Sequence, residues 1–135
     1  MFFIQRFGVY HWKKFTFENN TNKDKYFITL NCTLNDVDIA LVLPISQIEK
    51  YQNFKNRLID TIIIKANESR YFKKQTLIDL KNIKYFEAVA IYEAVEKGKI
   101  TYLGLLEEHI SKRIENAIKL AITLSPKIKK ELLCD

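Results

Sequence analysis

One stretch of this chain has a pattern that only a helix satisfies. Leu106, Ile110, Ile114, Ala117, Ala121 and Leu124 recur at spacings of three and four, which lines one side of a 3.6-residue helix and no side of a strand. Ser125-Pro126 follows. Pro ends the run, Ser is a favoured N-cap, and Pro is tolerated in a first turn, so the pair predicts a further short helix. The closing helical region spans about 105–133. An apolar stripe of this length needs a broad partner surface, and the preceding sequence supplies one mainly as strands.

Phe7–Phe17 is aromatic and partly alternating, residues 19–24 form a polar turn, and Lys25–Leu30 is rich in aromatic and β-branched residues. Together they predict a long hairpin. Asn35-Asp36 marks another turn before the apolar run Asp38–Leu43, which Pro44 closes. Thr61–Ile64, Thr76–Leu80 and Ile100–Leu103 read as further short strands. Between the last two, Tyr85, Phe86, Val89, Ala90 and Ala94 follow a three/four spacing, with Asn82 as cap and Gly98 as terminator. That predicts a helix over about 84–97. The whole is a single α+β domain over residues 1–135, strand-rich over about 7–104, with a strongly curved antiparallel sheet or small barrel.

Composition excludes several function classes. Cys32 and Cys134 stand about a hundred residues apart with no second pair, which fits neither a disulfide framework nor a CxxC metal site. His11 and His109 are too few and too separated for a metal centre, and no cofactor motif is present. The longest strongly apolar run, Ile39–Pro44, falls far short of a membrane span. The N-terminal residues lack the features of a signal peptide, so the expected setting is cytoplasmic. The net charge of +6 divides into +2 over residues 1–60, +3 over 61–105 and +1 over 106–135. A polyanion would therefore meet cations gathered by the fold rather than a basic tail.

The order of motifs resembles the MazF/PemK toxins. Gly8-Val9-Tyr10, Phe15-Thr16-Phe17, a polar turn, Lys23–Leu30 and Leu43-Pro44-Ile45-Ser46-Gln47 follow the family's succession. Its Gly-plus-hydrophobic strand, Phe-x-Phe strand end, basic turn, apolar strand and Pro-x-Thr-Ser segment come in that sequence. Phe72–Leu80 and Ile100–Gly104 resemble its later strands, and the amphipathic helix its C-terminal one. The resemblance covers most of residues 7–124. It implies an SH3-like, PemK-type barrel, a homodimer, a metal-independent endoribonuclease acting on single-stranded RNA, and a cognate antitoxin peptide. The family's catalytic Arg falls on Lys25, with Tyr26 in place of the following Pro; its Thr or Ser falls on Ser46. Lys presents a flexible point charge where Arg presents a planar fork.

Metal-free RNA cleavage by the strand's own 2′-OH needs a proton acceptor, a proton donor and stabilisation of the phosphorane. Lys25 is the expected electrostatic element and Ser46 the phosphate-orienting hydroxyl. No residue reads as an obvious general base. Lys13, Lys14, Lys23, Arg70, Tyr71, Lys73 and Lys74 are the candidate RNA-binding residues, because single-stranded bases stack on exposed aromatics interleaved with cations. Each has a plainer alternative: the Lys pairs as solvated surface, Tyr71 and Phe72 as core, Ser46 as a turn cap, His11 as a structural residue. Two other functions stay open, an inactive RNA- or antitoxin-binding module and an interaction protein unrelated to toxins.

Overall fold

The computed structural model describes residues 4–16, 22–31, 38–48 and 58–133. Cys32, Cys134, the turn residues 19–21, Asn35-Asp36 and most of the segment after Ser46 lie outside them. Among the described residues are seven strands: β1 (Gly8–Thr16), β2 (Asn22–Thr29), β3 (Asp38–Val42), β4 (Thr61–Ile64), β5 (Thr76–Asp79), β6 (Lys84–Glu87) and β7 (Ile100–Leu105). The helices are α1 (Ala88–Glu96), α2 (Glu108–Leu120) and α3 (Pro126–Leu132). The chain is α+β. A five-stranded antiparallel sheet runs in the order β6-β3-β2-β1-β7, and β4 and β5 form a separate pair. The five-stranded sheet is open, with β6 and β7 as its edges.

Strand alternation divides the core in two. Val9, Ile28, Ala40 and Val42 point to one face, where β4, β5, α2 and α3 bury them with Ile64, Ile78, Ile110, Ile114 and Leu132. Tyr10, Phe27, Ile39 and Leu41 point to the other, against Ile91 and Ala94 of α1. Because both faces are covered, β3 is buried at every residue after Asp38, which is why its sequence is a continuous apolar run. Of the stripe that opened the sequence reading, Leu106, Ile110, Ile114 and Ala121 are buried and Ala117 and Leu124 partly so. The helix ends at Leu120, however, and Ile118, outside the expected stripe, is fully buried with them. Ser125 caps α3, its Oγ accepting from the Ile128 N–H at 3.2 Å. No helix among the described residues is long and apolar enough to cross a membrane.

The helix expected from Asn82 is corrected. Lys84–Glu87 is a strand, paired with β3 through Ile39–Phe86 and Ala40–Tyr85, and the helix begins only at Ala88. The edge of β3 offers a ladder of backbone partners that outweighs a helical spacing shared by few residues. Val89 and Ala90, part of the expected stripe, are exposed, whereas Ile91 and Ala94 are buried. Asn82 caps no α-helix; its Nδ2 donates to Asp79 Oδ2 at 2.8 Å in a single 3-10 turn. Gly98 does end the helix. At φ +75° it forms a Schellman closure, with Gly98 N–H donating to Val95 O and Lys99 N–H to Ala94 O.

Candidate functional site

The segment that joins β4 to β5, residues 65–75, folds over the end of the sheet and leaves a groove of about 930 Å³. Its walls come from three directions. Asp24, Lys25 and Tyr26 of β2 form one side; Pro44 and Ser46 come from the stretch after β3; Arg70, Tyr71, Phe72, Lys73, Lys74 and Thr76 close the other. Leu103 of β7 completes it. Ser46 is brought there by its neighbour. The Ile45 and Leu77 backbones exchange N–H···O bonds of 2.9 and 2.8 Å, an antiparallel bridge that ties the two sheets together.

Lys25, Ser46, Arg70, Tyr71, Lys73 and Lys74 therefore share one groove, and among the described residues four cations line it with one carboxylate, Asp24. Lys13, Lys14 and Lys23 are exposed and do not line it. They sit along the hairpin at a bulge, where Trp12 pairs with Lys25 but Phe15 with Lys23. Lys14 takes φ +53° there and donates its N–H to Asp24 Oδ1 at 3.0 Å. Alternation in β2 separates Lys25 from its neighbour: Lys25 lies on the face of Phe27, Tyr26 on the face of Ile28. Tyr26 is 42% exposed and meets Phe72 edge-on, so it is an open aromatic surface of the groove. Phe72 is buried.

The basic loop is held rigidly by α2. Glu68 accepts the Lys65 N–H at 3.0 Å and receives Arg113 Nη1 at 3.0 and 3.2 Å, while Arg113 Nη2 donates to Ile63 O. The Lys65 hydrogen bond, with the Arg113 contact, holds the Glu68 carboxyl below its usual pKa despite partial desolvation. Glu107 N-caps α2, yet its side chain turns away from the helix. Its Oε1 accepts from Ser69 Oγ at 2.8 Å and its Oε2 from the Arg70 N–H at 2.7 Å. Desolvation pushes the Glu107 carboxyl up, but the Arg70 and Ser69 hydrogen bonds outweigh it and bring the pKa below the usual range.

Arg70 is fixed at both ends. Its Nη2 donates to the Tyr71 hydroxyl at 2.6 Å, its guanidinium carbon lies 4.9 Å from the Tyr71 ring centre, and the Tyr71 hydroxyl donates to Leu105 O at 2.8 Å. The Tyr71 hydrogen bond raises the Arg70 pKa further above its ordinary value. Gly104 makes this packing feasible: a β-carbon there would clash with the Tyr71 hydroxyl and stand 3.0 Å from Arg70 Nη2. Tyr71 is consequently half-buried and hydrogen-bonded in both directions rather than an open stacking surface. Beside the groove, His11 meets Tyr26 edge-on, and its Nε2 is 3.7 Å from Asp24 Oδ2.

Sequence reasoning missed Tyr26 as a surface, and Gly104 and Glu107 as supports. Tyr26 carried a usable signal, since alternation from the buried Phe27 sends it to the opposite face. Glu107 carried none, because nothing in its local sequence says which loop crosses the start of α2. Among the described residues no group of three His, Cys, Asp or Glu side chains is arranged to hold a metal ion. Searches against family models, curated proteins and solved structures find no match to this chain.

Proposed function

We propose that this chain is a PemK-type barrel that binds single-stranded RNA in the Lys25–Ser46–Arg70 groove and cleaves it without a metal ion, as the toxin of a type II toxin–antitoxin system. One observation carries the reading. Among the described residues, Arg70, Lys73 and Lys74 line the same groove as Ser46 and the exposed Tyr26, with Asp24 the one carboxylate on its lining, and none of the three forms an ion pair. Cations gathered without internal partners favour an external polyanion, and the adjacent aromatic favours unpaired bases. In the reaction, the 2′-oxygen attacks phosphorus, its proton leaves to a base, and the P–O5′ bond breaks as the 5′-oxygen takes a proton. Ser46 orients the phosphate and the groove cations hold its charge. The resemblance adds a cytoplasmic homodimer and an antitoxin peptide as partner.

The test is incubation of the protein with mixed-sequence single-stranded RNA in EDTA. Fragments ending in 2′,3′-cyclic phosphate, reduced in a Lys73→Ala/Lys74→Ala variant, support the assignment; RNA neither bound nor cut at low salt sinks it. A second reading, a binding module that leaves RNA intact, is favoured by the groove's lining, in which Asp24 is the only His, Asp or Glu among the described residues. Retention of intact RNA selects it.

A further inference from the structure

We infer that Arg70, rather than Lys25, is the group that holds the phosphate at the centre of this groove. This rests on the RNA-binding reading above. Three observations point the same way. First, Lys25, although a lining residue, lies on the strand face of Phe27, the other side of β2 from Tyr26. Second, Arg70 is the only Arg among the described residues that line the groove, and a guanidinium supplies the planar fork that a phosphate accepts at two oxygens. Third, it is preorganised. Tyr71 takes one of its five N–H groups and supports its plane, Glu107 holds its backbone N–H, and Gly104 leaves space for the pair.

Preorganisation decides between the two cations. A Lys presents one point charge, whereas the Arg70 guanidinium presents a planar fork already held by Tyr71 when charge builds on phosphorus. Among the described residues no carboxylate forms an ion pair with Arg70; Glu107 engages its main chain and leaves the guanidinium to a ligand. Tyr71, Glu107 and Gly104 are positioning residues, acting on the phosphate only through Arg70.

Two measurements on the full chain test this, with a mixed-sequence oligoribonucleotide in EDTA and its uncleavable 2′-deoxy counterpart. These are the single-turnover cleavage rate at saturating protein and the dissociation constant of the deoxy strand. Arg70→Ala is expected to slow cleavage by about 100-fold or more while weakening the deoxy strand far less; Arg70→Lys recovers little, and Lys25→Ala costs about tenfold at most. Tyr71→Phe, which keeps the ring and drops the hydroxyl, gives an intermediate loss with an unchanged circular-dichroism spectrum. If Lys25→Ala is as damaging as Arg70→Ala, or Arg70→Lys is fully active, the inference is wrong. If wild type binds RNA without cutting it, only the enzyme reading falls. The affinities then decide, with Arg70→Ala weaker than Lys25→Ala in support and the reverse against. A wild type that binds no RNA removes the parent reading, and this one with it.

Discussion

No side chain fits between Gly104 and Tyr71: a β-carbon at position 104 lands inside contact distance of the Tyr71 hydroxyl, and the Gly104 backbone sits at φ +145°. The strand bulges here, with Val9 opposite Gly104 but Tyr10 opposite Tyr102. The irregularity delivers Leu103 to the groove and leaves the Leu105 carbonyl to accept from Tyr71. Gly104→Ala is therefore expected to lose about 1–3 kcal/mol in urea unfolding and to weaken groove binding along with stability. A stability within experimental error of wild type would show that the Arg70–Tyr71 pair relaxes freely.

Glu107 links stability to acid. Its folded pKa, like that of Glu68, lies below the ordinary 4.5. A depressed carboxylate contributes stability above its unfolded pKa, and that contribution is lost as pH falls through the lower folded value. Thermal midpoints should drop as the solution is taken from pH 5 downward. Glu107→Gln should start lower at neutral pH and fall less steeply. Parallel curves for the two proteins would remove Glu107 from the account.

Tyr10 sets the opposite limb. Burial pushes its phenol from 10.0 to about 12, more than offsetting the Gln5 hydrogen bond to its oxygen. A raised pKa means stability present below the unfolded value and lost as pH climbs from about 10 to about 12. Tyrosinate absorbance should show one residue titrating late and together with unfolding. Tyr10→Phe should delete that late step, at a cost of about 1 kcal/mol for the lost hydrogen bond.

Ile114 is the centre of the larger core, with no exposed surface between Ile110 and Ile118. Ile114→Ala should destabilise by about 2–5 kcal/mol, read as a lower urea midpoint at unchanged slope. Loss of less than 1 kcal/mol would mean that α2 collapses onto β4 and fills the space.

RNA binding, if carried by the groove, must weaken with salt. Each phosphate neutralised contributes about 0.7 to the slope of log affinity against log salt for a single strand. Lys73→Ala/Lys74→Ala should therefore flatten that slope by about 1.4, whereas Lys13→Ala/Lys14→Ala, away from the lining, should leave the specific groove contribution in place. Equal flattening by both pairs would move the interface to the hairpin.

Much of this molecule is legible locally. The α2 stripe, the Ser125-Pro126 start of α3, the Gly98 stop and six of the seven strands follow from spacing and from residues with strong backbone preferences, because those signals act within a few residues. Lys84–Glu87 is the instructive exception. Its aromatic pair fits either periodicity, and the unpaired edge of β3, more than forty residues away, decided for a strand.

The same division separates the cations from the site. Which side chains are basic was plain from the sequence, as were the helix that closes the core and the strands that build the sheet. Which of those cations converge depended on tertiary contacts: the Ile45–Leu77 bridge that carries Ser46 in, the Glu68–Arg113 and Glu107–Ser69 contacts that fold the 65–75 loop over the sheet, and the space at Gly104. Periodicity reports which face of an element is apolar. It carries no record of which distant loop will lie across that face's end, because that choice is made by long-range packing and hydrogen bonding.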